Sequence, residues 1–303
     1  MRKLDNEFMD ELKEGDLRKV LDLVHRDQTL CLEIRDNRVN IYYRDGNILE
    51  IDKKGTKYSY AFDPMYFVHD RYLMSSEPVL PTSGPVSAYL EFIPKLKQEM
   101  DRWFKKNPKI EREVQQMILR DNNTDKLAND TDYYISDIEY SNSENGSRFD
   151  IVALKWPSTS GSRKDRTKPS LSLIELKYGD DSLTKDAGIV KHFEDIEKFV
   201  NSPKYSDFID EVEIQFNQLI ELGLILKQDK PISINRKTTP EFVLILANHK
   251  AASTILNREL KNAMDKFPNI EQNIDVLIAQ ASFMGYGLYT EKMIKVSEYL
   301  KTC

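Results

Sequence analysis

The chain has 303 residues, 40% of them hydrophobic and 31% charged, with a formal net charge of -6. That length allows one large or two modest domains with a real core, and the composition reads as soluble and globular. The acidic balance argues against non-specific nucleic-acid binding over the whole surface, while leaving room for a locally basic cleft.

The segment Met1 to Phe8 is charged throughout and lacks the pattern of a signal peptide. No run approaches the roughly 20 apolar residues of a membrane span, so no membrane partner is expected. Cys31 and Cys303 offer neither a disulfide framework nor metal-ligand spacing, which fits a reducing cytoplasm.

Residues 4 to 25 have a helical apolar pattern (Leu4, Phe8, Leu12, Val20, Leu21, Val24) that breaks near Gly15. The period then changes to two. Four short β-type runs, 29–34, 38–43, 47–52 and 57–62, are joined by Asp36-Asn37, Asp45-Gly46 and Lys54-Gly55, all tight-turn chemistry. This predicts an antiparallel meander. It holds no catalytic constellation, so support, dimerisation or substrate contact is its expected role. Pro78-Val-Leu-Pro-Thr-Ser-Gly-Pro-Val reads as a linker, which sets the expected domain boundary near residue 85.

From Ser87 to about Leu119 the pattern is helical again, with a break near Pro108. Ile110, Val114, Met117 and Ile118 form an apolar stripe, and Glu113 falls within it while Glu111 lies at its edge. A carboxylate on such a stripe is either a surface side chain at the margin or a functional one. A hairpin follows: a strand over 132–140, a polar turn containing Asn145-Gly146, and the strand Arg148 to Trp156, which carries the isolated carboxylate Asp150. Asp137 and Glu139 on the first strand are two apart and so share a face, which is expected to meet solvent; the alternative is that either is an auxiliary ligand. The loop 157–169 is basic, with Arg163, Lys164, Arg166 and Lys168, a composition that either is simply solvated or touches phosphate.

The stretch Ser170-Leu-Ser-Leu-Ile-Glu-Leu-Lys-Tyr-Gly179 is an apolar run bounded by Pro169 and Gly179, which reads as a buried strand. Glu175 and Lys177 interrupt it. Side chains two apart on a strand share a face, so the two charges emerge side by side. Burying them costs several kcal/mol per ion on rough estimates. The alternatives are an edge strand with a surface ion pair, or a site.

Beyond it come a helix with Ile189, His192, Phe193, Ile196, Phe199 and Val200, and a second over about 208–227. Then follow an apolar strand over 241–248, a helix over 251–264, a strand over 274–281, a segment with Gly285 and Gly287, and a last helix over 291–300. His192 on its stripe is either a core residue bonded to a neighbour or a group facing a cleft.

Glu113 on a helix, Asp150 on one strand and Glu175 with Lys177 on the next can meet at one end of a small sheet. Clustered oxygen ligands suit Mg²⁺ or Mn²⁺. Asp150 and Glu175 would be direct ligands, with the Leu176 backbone carbonyl between the two active side chains as another. Lys177 would orient or deprotonate a water, or neutralise charge building on a phosphate.

At these residues the chain resembles the PD-(D/E)XK nuclease superfamily, whose motif is a helix carboxylate, an Asp on a strand, and Glu/Asp-x-Lys on the next strand. Those positions read Glu113, Asp150 and Glu175-Leu176-Lys177. The resemblance spans about Ile110 to Asn248; Phe149 stands where the usual Pro precedes the Asp. It implies an α/β fold: a restriction-endonuclease-like mixed sheet flanked by helices (86–303), preceded by a small α+β domain with the antiparallel meander (1–85). It also implies metal-dependent hydrolysis of nucleic acid, DNA rather than RNA. Glu113 would hold the ion through water, and His192 would have a phosphate or supporting role. A homodimer could combine the basic residues Lys105, Lys106, Lys109 and Arg112 with those of the 163–168 loop into a cleft. The competing expectation is a non-catalytic nucleic-acid- or protein-binding module on the same fold.

Overall fold

The computed structural model describes residues 2–44, 46–67, 78–141, 148–184, 188–247, 254–281, 290 and 293–302, the side chains of 280 and 281 excepted. Asp45, the Asn145-Gly146 turn, and Gly285 with Gly287 lie outside these residues. The protein is mixed α/β, with a four-stranded antiparallel sheet and a six-stranded mixed sheet flanked by helices. It divides into two compact units, Met1–Gln116 and Met117–Cys303. No helix among the described residues is long and apolar enough to cross a membrane.

The first unit opens with α1 (Asn6–Lys13) and α2 (Arg18–Arg26). Asp5 caps α1 by accepting from the Phe8 amide at 2.8 Å, and Phe8, Leu12, Val20 and Val24 are buried. The meander follows as β1 (Leu30–Arg35), β2 (Arg38–Tyr43), β3 (Gly46–Lys54) and β4 (Lys57–Ala61), each antiparallel to the next. Asn37 and Gly55 take the positive φ that such tight turns need, 45° and 65°.

The helices α3 (Val86–Leu90) and α4 (Ile93–Lys106) belong to this unit. The expected boundary near residue 85 therefore differs from the observed division, which falls inside α5 (Ile110–Asn123). The reason lies in backbone polar groups that need partners. The proline-rich stretch lies along β4 rather than swinging free: the Tyr60 amide donates to the Thr82 carbonyl at 2.9 Å, and Ser59 bridges Ser83. Tyr89 then donates its hydroxyl to the Ile48 carbonyl at 2.9 Å.

The second unit is built on β5 (Tyr133–Ser141), β6 (Arg148–Lys155), β7 (Ser170–Tyr178), β8 (Glu241–Ala247), β9 (Asp275–Ala281) and β10 (Ile294–Lys295). Their spatial order is β10-β9-β8-β7-β6-β5. β6 runs antiparallel to both β5 and β7, whereas β7, β8 and β9 run parallel. Parallel neighbours need crossovers. These are supplied by α7 (Ile189–Val200) and α8 (Tyr205–Glu221) between β7 and β8, and by α9 (Thr254–Lys266) between β8 and β9; a short α6 (Ser160–Lys164) precedes β7, and α10 (Val296–Thr302) ends the chain. β7 lies between β6 and β8, and every residue of it except Tyr178 is buried. The edge-strand alternative for the charged run is thereby excluded.

Candidate active site

β7 carries the candidate site near its C-terminal end. Gly179, with φ at 72°, takes the left-handed backbone that ends the strand, and its amide donates to the Ala247 carbonyl at 2.8 Å. Glu175 and Lys177 are 4% and 5% exposed. The alternation of the strand puts them on one face, and Lys177 Nζ donates to Glu175 Oε1 at 2.9 Å.

His192 comes from α7. The helix begins at Gly188, where a Cβ would stand 2.6 Å from the Leu183 carbonyl oxygen and 2.6 Å from the Thr184 carbonyl carbon, so only glycine lets the chain approach this closely. Ile189, Phe193, Ile196 and Phe199 form the buried stripe of α7, and Phe193 meets Phe242 of β8 edge to face at 5.7 Å. That packing sets His192 Nε2 3.0 Å from Glu175 Oε1. His192 is thus paired with a neighbour, Glu175, a contact that both sequence expectations for it allow.

Asp150 sits where β6 and β7 part. Their last register pair in this direction is Ile151 with Ile174. One residue further on, the Asp150 side chain replaces a backbone acceptor: its Oδ2 takes the Leu176 amide proton at 2.8 Å. On a strand the N–H and C=O of one residue point to the same neighbouring strand, so the Leu176 carbonyl also lies on the Asp150 side. Asp150 thus contacts Leu176, Glu175 contacts Lys177 and His192, and the two groups meet through the backbone of β7.

Two opposing effects act on Glu175. Burial pushes its carboxyl up, but the His192 hydrogen bond and charge, together with the Lys177 ammonium, outweigh burial and hold it below the ordinary carboxylate value.

Glu113 is the expected helix carboxylate. It belongs to the first unit, where its Oε1 accepts from Arg44 Nη2 at 2.8 Å. Arg44 also holds Asp101 at 3.0 Å, so the helix carboxylate expected in the site is engaged by an arginine. Glu111 is half-buried. Ile110, expected on the apolar stripe, is 45% exposed.

Asp137 corrects a second expectation: it is buried, not solvent-facing. It pairs with Val152, which pairs with Leu173. Side chains opposite one another share a sheet face, so Asp137 lies on the face of Leu173 and Glu175. Glu139 has φ at 52°, which breaks the simple alternation expected between the two acids.

Part of the basic loop is used in packing. The Arg163 guanidinium stacks over Tyr134 at 4.3 Å and Trp156 at 5.3 Å, and its Nε donates to the Pro157 carbonyl at 3.1 Å. Arg166 donates to Gln228 Oε1 at 2.9 Å and to the Lys230 carbonyl at 3.2 Å. Two of the loop's four cations are therefore spent on packing, while Lys164 and Lys168 are exposed.

No protein-family model, curated protein or solved structure matches this chain.

One cluster escaped the sequence reading. Glu241, the first residue of β8, is 3% exposed. Its Oε2 accepts from Tyr133 at 2.9 Å and its Oε1 from Lys155. The only signal was an acid at the head of an otherwise apolar strand, and nothing in the spacing pointed to Lys155, 86 residues away.

Asp150, Glu175 and the Leu176 carbonyl supply oxygen, the ligand type that hard divalent cations take. Among the described residues no group of three or more His, Cys, Asp or Glu side chains is arranged to hold a metal. A cation here would rest on the two carboxylates of Asp150 and Glu175, the Leu176 carbonyl and water, the sparse oxygen set that Mg²⁺ accepts.

Proposed function

We propose that the protein is a divalent-metal-dependent nuclease that hydrolyses phosphodiester bonds, with DNA as the substrate, on a restriction-endonuclease-like second unit. The observation that carries this reading is the buried pair Glu175 and Lys177 with the part-buried His192, the lysine and the imidazole meeting at one oxygen of Glu175, while Asp150 takes the amide of the intervening Leu176. Burying two charged groups in the middle of a sheet is costly unless something is gained by it. Its position agrees with a general rule: open sheets with parallel strands bind ligands beyond the carboxyl ends of those strands.

Asp150, Glu175 and the Leu176 carbonyl would hold Mg²⁺ or Mn²⁺. Such an ion lowers the pKa of a water and stabilises the oxygens of the transition state. Lys177, as an ammonium, neutralises charge on the phosphoryl oxygens as water adds to phosphorus, the bond to the leaving oxygen breaks, and that oxygen takes up a proton. Glu175 keeps Lys177 in place for this. Glu113 has no part in the proposal, because Arg44 engages it.

The test is cleavage of single- and double-stranded DNA and of RNA with Mg²⁺ or Mn²⁺, comparing wild type with Asp150→Asn and Lys177→Ala. Cleavage by wild type alone supports the reading; no cleavage of any substrate with either metal sinks it. The absence of a three-ligand group among the described residues favours a second reading, a non-catalytic binding module on the same architecture. That reading expects nucleic acid to be bound without metal and to remain uncut.

A further inference from the structure

We infer that His192 is a positioning residue for Glu175: it anchors one carboxylate oxygen so that the other is turned toward the cation. The inference rests on the metal site proposed above and adds a residue to it from another element.

Both contacts of Glu175 fall on the same atom. Oε1 takes Lys177 Nζ at 2.9 Å and lies 3.0 Å from His192 Nε2. Among the described residues no hydrogen bond falls on Oε2. Lys177 by itself is a poor anchor, since an ammonium on a flexible stem can follow either oxygen as the carboxylate turns. An imidazole on a packed helix cannot follow. α7 is fixed by the close approach at Gly188 and by the buried Phe193 and Ile196, so the reach of His192 is set by the fold. Two donors arriving at Oε1 from two different elements leave Oε2 as the oxygen that a cation can take. Glu241 has no such division, because its two donors occupy separate oxygens.

Mn²⁺ binding measured by calorimetry on the full chain tests this without any substrate. The set is wild type, Asp150→Asn, His192→Ala, His192→Asn and His192→Gln, with thermal unfolding recorded for each without metal. The amide nitrogen of Gln corresponds in reach to Nε2, whereas that of Asn corresponds to Nδ1. Losing the partner of a metal ligand costs about 10- to 100-fold in affinity. His192→Ala and His192→Asn should therefore weaken Mn²⁺ by about 10-fold or more, and His192→Gln should recover most of that. A residue with a merely structural role would not separate Asn from Gln. Equal affinity in wild type and His192→Ala overturns the inference while the wild type to Asp150→Asn difference still supports the metal site. Equal weakening in the Asn and Gln variants also overturns it. Wild type that binds no Mn²⁺ removes the metal site and this inference together.

Discussion

Among the described residues of the second unit two glutamates are buried, one toward each end of the β7–β8 pair, and they are made of nearly the same parts. Glu241 stands at the start of β8 opposite Ser172, and Glu175 stands near the end of β7 opposite Leu244. Each has a lysine and a third group: Lys155 and the Tyr133 hydroxyl for Glu241, Lys177 and His192 for Glu175. The difference is in how the oxygens are used. Glu241 spends one oxygen on each donor, which is how a buried carboxylate offsets its desolvation. Glu175 receives both on Oε1. Burial and charge pairing are therefore common to both glutamates; the distribution of donors over the two oxygens is what separates them, and the proposed metal site rests on that difference.

The largest effect should come from the Glu175 end. Replacing Lys177 with Ala or Glu175 with Gln should lower metal-dependent cleavage by about 10²- to 10⁴-fold, the range for removing a group that acts in the transition state. Circular dichroism should show the fold retained. If Glu241→Leu lowered cleavage as much in a folded protein, the contrast between the two ends would be lost.

Stability should report the opposite ranking. Glu241→Leu strands Lys155 and the Tyr133 hydroxyl, and breaking a buried pair costs about 3–5 kcal/mol. The Lys155 side chain is 25% exposed, which places the loss near the lower end, about 3 kcal/mol. Urea unfolding measures it, and Mn²⁺ affinity should not change. Tyr133→Phe leaves Oε2 of Glu241 without its donor, a loss of about 1–3 kcal/mol, again with unchanged Mn²⁺ affinity.

Acid sharpens the comparison through Glu175 alone. Its folded-state carboxyl lies below the ordinary value of 4.5. A carboxyl lowered on folding contributes stability that is in place above the unfolded value and lost as pH falls through the folded one. The stability gap between wild type and Glu175→Gln should therefore be widest above pH 4.5 and close below it. A gap independent of pH would contradict the pairing with His192 and Lys177.

The smallest effect belongs to Glu113. Its ion pair with Arg44 is partly exposed, with the side chains 26% and 33% accessible, so Glu113→Gln should cost about 0.2–1 kcal/mol. Cleavage should stay within about twofold, well short of the 10²-fold that marks a catalytic group. A loss of catalytic size would return this carboxylate to the site.

What could be read from residues alone was local. The β2 strand, Arg38–Tyr43, matches its expected range, and β7 runs over Ser170–Tyr178, one residue short of the Gly179 that bounds the run. Their periods and turn residues are short-range properties of the backbone. The side-by-side emergence of Glu175 and Lys177 follows from the strand period for the same reason. Helix ends were less legible: α8 stops at Glu221, short of the expected 227, where Gly223 takes φ at 70°. Tertiary structure alone decided the rest. Packing of Phe193 against Phe242 aims His192 at Glu175, the parting of β6 and β7 gives Asp150 the Leu176 amide, and Arg44 engages Glu113. Contacts between residues far apart in the chain leave no period to read. They exist only once the sheet has a strand order and each donor has met the acceptor that burial obliges it to find.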